Sequence, residues 1–126
     1  MAIPATTRIF VVDDEMVIAA TLAMILKTSG FDARSFTNPL EALTAADAAP
    51  PQLLITDVVM PEMLGTDLAI EVKRRCPDCK ILLFSGQAAT SDLLVKARSE
   101  GHEFNLLTKP IHPADMLREI RKTAQD

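Results

Sequence analysis

Short apolar runs of strand length alternate along this chain with longer segments whose apolar positions recur at helical spacing. "RIFVV" at 8–12, "LLIT" at 53–56, "KILLF" at 80–84 and "NLLT" at 105–108 are short apolar runs, as expected of strands in a parallel sheet. "DARSF" at 32–36 is weaker and reads as an edge strand. A first helix is predicted from about Glu15 to Ser29, with Val17, Ile18, Leu22, Ile25 and Leu26 on its apolar face and Gly30 closing it at the C′ position. Asn38 ahead of Pro39 is a cap followed by proline at the first helical position, and this second helix runs to the Pro50-Pro51 stop. A third helix follows the Gly65 turn and extends to about Arg75, with Leu68, Ala69 and Val72 inward. The fourth spans about Thr90 to Glu100 and is closed by Gly101; "HPADMLREIRKTA" makes the fifth, with Pro113 in its first turn. Five successive βα units imply an α/β fold with parallel strands, right-handed crossovers and helices on both faces of the sheet.

Composition narrows this picture. At 126 residues, 48% hydrophobic and 24% charged, the chain fits one self-sufficient domain, taken here as 1–126 with a core of about 8–124. A net charge of -4 and the lack of Trp and Tyr argue against direct nucleic-acid binding, which favours a basic stripe and stacking aromatics. No signal peptide and no apolar run of membrane-spanning length is apparent, so a cytoplasmic location away from the membrane is expected. Cys76 and Cys79 form a CxxC, but here a helix feeds a strand, whereas redox pairs sit where a strand feeds a helix. They read as two ordinary thiols flanking a Pro-Asp turn. Met16, Met24, Met63 and Met116 are expected to fill the core, and His102 and His112 to lie on the surface. The charges of "REIRK" at 118–122 read as a solvated helix face.

The polar residues that remain fall in one kind of place. Asp13 and Asp14 follow the first strand, Asp57 the third, Ser85 the fourth and Lys109 the fifth. In open α/β sheets, ligands bind at this carboxyl rim. Each pairing has an ordinary reading taken alone: Asp13-Asp14 as helix capping, Asp57 and Ser85-Gly86 as turns, Lys109-Pro110 as an extended dipeptide. Their conjunction is what independent turns do not explain. Carboxylates crowded into one pocket raise one another's pKa unless a cation compensates, and Mg²⁺ serves with few protein ligands because it retains water and accepts phosphoryl oxygens. The acidic cluster therefore reads as part of a metal site, completed by Asp57 and a backbone carbonyl just beyond it. Glu15 is assigned to the helix dipole. A carboxylate can attack phosphorus to form an aspartyl-phosphate, and that transfer needs positioning and charge neutralisation, which a metal, an ammonium and a hydroxyl supply.

These residues, with "VVDDE", "LLITDVVMPEMLG", "FSG" and "LLTKP" in order, resemble the receiver domain of two-component response regulators over nearly the whole chain. The resemblance implies a flavodoxin-like five-stranded sheet of order 2-1-3-4-5, as in a chemotaxis relative. It implies that Asp57 accepts a phosphoryl group from a histidine kinase or a histidine phosphotransfer protein. Mg²⁺ would be held by Asp14, Asp57 and the Val59 carbonyl, with Asp13 acting through water; Ser85 and Lys109 would bind the phosphoryl oxygens. A cis Lys109-Pro110 bond that turns the lysine inward is also implied. Phosphorylation would alter the face formed by the fourth helix, fifth strand and fifth helix, about 90–98 and 114–122, and so control contact with a downstream protein, with a phosphorylation-dependent dimer as one outcome. The family's switch uses an aromatic ring three residues before the lysine; here that position is Leu106, near Phe104. Val59 and Gln87 flank the approach of attacking water, and Val59 implies slow loss of phosphate. No output domain is expected beyond the last helix, and the chain is expected to be no enzyme beyond its own phosphoryl transfer and slow dephosphorylation.

Two rivals differ in kind. A haloacid-dehalogenase-type phosphatase also phosphorylates an aspartate near Mg²⁺, but needs an Asp two positions on, where this chain has Val59. A phosphate-independent adaptor would use the fold as a binding surface only, and would not need the full set of site residues. Neither GxxxxGK nor GxGxxG is present, which removes the usual nucleotide-binding motifs.

Overall fold

The computed structural model describes residues 7–86, 90–102 and 104–125. Ten elements alternate as the periodicity predicts: β1 (Arg8–Val12), α1 (Met16–Thr28), β2 (Asp32–Phe36), α2 (Pro39–Ala48), β3 (Leu53–Asp57), α3 (Gly65–Arg75), β4 (Lys80–Ser85), α4 (Thr90–Ser99), β5 (Asn105–Thr108) and α5 (Pro113–Gln125). All strand pairs are parallel and the sheet order is β2-β1-β3-β4-β5. The weak "DARSF" run is indeed an edge strand. The short β5 forms the other edge, and its Leu106 is 37% exposed.

Side chains alternate across the strands and so feed two cores. Phe10, Val12, Leu54, Val58, Ile81 and Leu83 pack on one face against Ala42, Leu43 and Ala46 of α2 and Leu68, Ala69 and Val72 of α3. Ile9, Val11, Leu53, Ile55, Leu82 and Phe84 pack on the other against Leu22, Ala23 and Leu26 of α1 and Met116 and Ile120 of α5. Burying both faces makes β1, β3 and β4 apolar along their middles, Thr56 of β3 excepted, and leaves their ends as the places for polar groups.

Local signals set the element ends. The Asn38 side chain accepts a hydrogen bond from the Leu40 N–H at 2.9 Å, with Pro39 in the first turn. Gly30 (φ 97°) and Gly101 (φ 92°) take the left-handed conformation that ends a helix without a Cβ penalty.

The first helix departs from expectation. Its inward stripe is Ala19, Leu22, Ala23 and Leu26, while Val17 is 74% exposed and the supposed core residues Met16 and Met24 are 70% and 67% exposed. The helix carries more apolar positions than the sheet can cover, and Val17 and Met24, seven residues apart, share the outer stripe. Met63 is partly buried and Met116 fully buried, as predicted. His112 is exposed, whereas His102 is half-buried and stacks on Phe104 with ring centroids 5.9 Å apart. Among the described residues no helix is long and apolar enough to cross a membrane.

The cysteine pair is a turn. Cys76 and Cys79 are free thiols, the Cys79 N–H donates to the Cys76 carbonyl at 3.0 Å, and Lys73 Nζ donates to the Pro77 and Cys79 carbonyls, each at 2.9 Å. Burial pushes the Cys79 thiol up to about 12.

Candidate functional site

Parallel strands of similar length end together, so the carboxyl ends of β1, β3, β4 and β5 share one rim of the sheet. Asp13, one residue past β1, is fully buried; Asp14 is exposed; Asp57, the last residue of β3, is buried. One carboxylate oxygen from each lies within 4.8 Å of the others. Lys109 follows β5 and reaches across the rim: its Nζ donates to Asp13 Oδ2 at 3.0 Å and lies 3.5 Å from Asp57 Oδ1. The Lys109-Pro110 bond is cis, and the ammonium also sits 5.0 Å above the Phe84 ring.

The remaining predicted residues frame this cluster. Ser85 is buried at the end of β4, one position past Phe84, which is in register with Asp57; its carbonyl accepts the Lys109 N–H at 3.0 Å. Val59 is half-buried and lines a hollow of about 280 Å³ together with Asp14, Glu15, Asp57, Gly86 and Lys109. Glu15 is the N-cap of α1, with its N–H donating to Asp13 Oδ1 at 2.8 Å. Assigned only to the helix dipole by its position in sequence, it also borders the acidic hollow. Gln87 lies outside the described residues.

Electrostatics here are a contest between burial and charge. Burial raises the Asp57 pKa above the usual carboxylate range; nearby Lys109 pulls it down, Asp13 adds to the rise, and the Val58 N–H, 2.9 Å from Oδ1, again favours the anion. For Lys109, burial works against the charged form, but its hydrogen bond to Asp13 and the charges of Asp57 and Asp13 outweigh it, so its pKa is raised. Among the described residues, a single ammonium thus faces the cluster of three carboxylates. The imbalance suits a hard divalent cation, whose all-oxygen preference this donor set meets.

Two contributors escaped the sequence reading. The buried Thr56 hydroxyl donates to the Asp57 main-chain carbonyl at 3.0 Å. Gly65, at the start of α3, donates its N–H to the Val58 carbonyl at 2.6 Å, and a Cβ built on it would fall 1.9 Å from the Asp57 carbonyl oxygen. The one available signal was Thr56 itself, a polar residue closing an apolar run; Gly65 looked like any turn glycine.

Comparison with known proteins identifies the family. The model of the family described as "Response regulator receiver domain" matches residues 9–121. The response regulator receiver protein CpdR of Brucella abortus is 33% identical over 115 residues, covering 91% of this chain and 94% of CpdR. The DNA-binding response regulator MtrA of Mycobacterium leprae is 29% identical, with 90% of this chain matching 49% of MtrA. Among solved structures, an uncharacterized protein from Neptuniibacter caesariensis superposes with a TM-score of 0.84 at 32% identity, covering 94% of this chain and 87% of its own. A receiver domain protein from Clostridium thermocellum gives 0.82 at 26%, covering 94% of each chain. Matched along nearly its whole length and carrying its acidic cluster where parallel strands end, this chain belongs to the response regulator receiver domain family of two-component signalling proteins.

Proposed function

We propose that Asp57 is the phosphoacceptor of a two-component phosphorelay. The observation that supports this above the rest is Lys109 reaching across the sheet rim to 3.0 Å from Asp13 and 3.5 Å from Asp57, inside a group of three carboxylates. In this reading an Asp57 carboxylate oxygen attacks the phosphorus of a phosphohistidine on a histidine kinase or phosphotransfer protein. The new P–O bond forms as the P–N bond breaks, and the electron pair returns to the imidazole nitrogen, which takes up a proton. Lys109 and the Ser85 hydroxyl bind oxygens of the incoming group. Asp13, Asp14, Asp57 and the Val59 carbonyl are the residues to hold Mg²⁺, which supplies neutralisation of charge on the transferred phosphoryl group. Incubation with acetyl phosphate and Mg²⁺ followed by intact mass measurement tests the assignment. A labile phosphoryl adduct on the parent and none on Asp57→Asn is expected; no adduct on either would favour the phosphate-independent adaptor.

Output then depends on a shift between two arrangements of one surface. We assign it to the α4–β5–α5 face, about 90–98 and 114–122, where it would control contact with a downstream protein or a second copy. With Leu106 where a ring is usual, the shift rests on repacking of an aliphatic side chain on an edge strand. Alanine substitutions on this face that leave phosphorylation-dependent partner binding unaltered would refute the placement.

A further inference from the structure

A peptide unit is rigid, so its carbonyl oxygen and its N–H turn together. The unit between Asp57 and Val58 is held at both poles. Its N–H points to Asp57 Oδ1 at 2.9 Å, with the Phe84 carbonyl at 3.2 Å, and so fixes one oxygen of the carboxylate. Its carbonyl oxygen receives the Thr56 hydroxyl at 3.0 Å, and the missing side chain of Gly65 leaves that oxygen the space it occupies. Thr56 is fully buried among the side chains that Leu54 and Val58 send to the same face of the sheet, where an aliphatic residue would be the default.

We infer that Thr56 is a positioning residue for phosphoryl acceptance: its hydroxyl holds the Asp57–Val58 peptide plane, and through that plane the Asp57 carboxylate, in the orientation for attack. The inference rests on Asp57 being the phosphoacceptor. Thr56 touches neither the phosphoryl donor nor the reacting oxygens; its effect passes through the Val58 N–H. Losing the hydroxyl strands a buried carbonyl and frees the plane to rotate.

The test compares the parent with Thr56→Val, which keeps the shape without the hydroxyl, and Thr56→Ser, which keeps the hydroxyl. Thr56→Ala repeats the deletion in a smaller side chain should Val not fold. Phosphorylation by acetyl phosphate with Mg²⁺ is followed by intact mass, and the Val58 amide by its ¹H–¹⁵N resonance and hydrogen exchange, with the urea midpoint measured alongside. The deletion variant is expected to react roughly tenfold more slowly, the scale on which small misplacements of a reacting group act. It should also shift the Val58 resonance and exchange that amide faster than any change in the urea midpoint accounts for. Thr56→Ser should restore both. A deletion variant with the parental rate, a slow variant whose Val58 amide is unmoved, or a Ser variant as slow as Val would each overturn the role of Thr56 while leaving Asp57 as acceptor. A parent that gains no phosphoryl group would instead remove the underlying reading, and this inference with it.

Discussion

At the scale of single residues, Asp57 carries the unfavourable part of the site. Burial raises its folded pKa above the unfolded value, so between the two the folded state holds the proton more often. Stability from this group is full below the unfolded pKa and is lost as pH rises through the folded one. Metal-free Asp57→Asn should therefore melt a few degrees higher than the parent at neutral pH, with the gap closing near pH 4 and on addition of Mg²⁺ to the parent. Thermal denaturation across that pH range measures it, and equal melting points at pH 7 would contradict the assigned direction. Val59 offers a second test at this scale. An aliphatic side chain bordering the hollow gives an attacking water nothing to bond to, so an aspartyl-phosphate outlasting seconds at neutral pH is expected. Val59→Asn should shorten that lifetime several-fold, and chasing the phosphorylated protein by intact mass would show it.

Elements place these residues, and the joints between elements are where substitutions should cost most. Gly65 begins α3 against the end of β3; its φ lies outside the left-handed region, so space alone excludes a side chain. Gly65→Ala should cost roughly 1–3 kcal/mol, as overpacked sites do, because the obstacle is the Asp57 backbone and not a flexible side chain. Asn38→Ala at the start of α2 should cost about 1 kcal/mol through the lost cap, a smaller shift in the urea midpoint than at Gly65. The elements were legible in sequence because continuous apolar runs and helical spacing follow from burial on both sheet faces. The exposed stripe of α1 was not: Val17 and Met24 look like core residues until the inward face is seen to be filled by Ala19, Leu22, Ala23 and Leu26. The site divided along the same line. Side chains with charge or strand-end position announced themselves, whereas Thr56 and Gly65 act through one carbonyl oxygen that no side-chain pattern marks.

For the whole molecule, the sheet separates two tasks. The acidic cluster and Lys109 are gathered at the carboxyl rim, and the amino-terminal rim holds turns such as the one between Cys76 and Cys79. The buried Cys79 thiol, at about 12 when folded, lies well above an unfolded thiol near 8.5, so the folded protein keeps a proton there that the unfolded chain gives up. That contribution is fully present below about pH 8.5 and is lost as pH climbs toward 12. Urea midpoints should fall across pH 9–11 in the parent, and fall less in Cys79→Ala once its own cavity cost at pH 7 is subtracted. The same sealing has a practical side. Of the two thiols only Cys76 keeps any solvent access, so a maleimide dye should attach to it alone in the native protein, giving a fluorescent handle at the amino-terminal rim of the sheet, opposite the acidic hollow, without disturbing it.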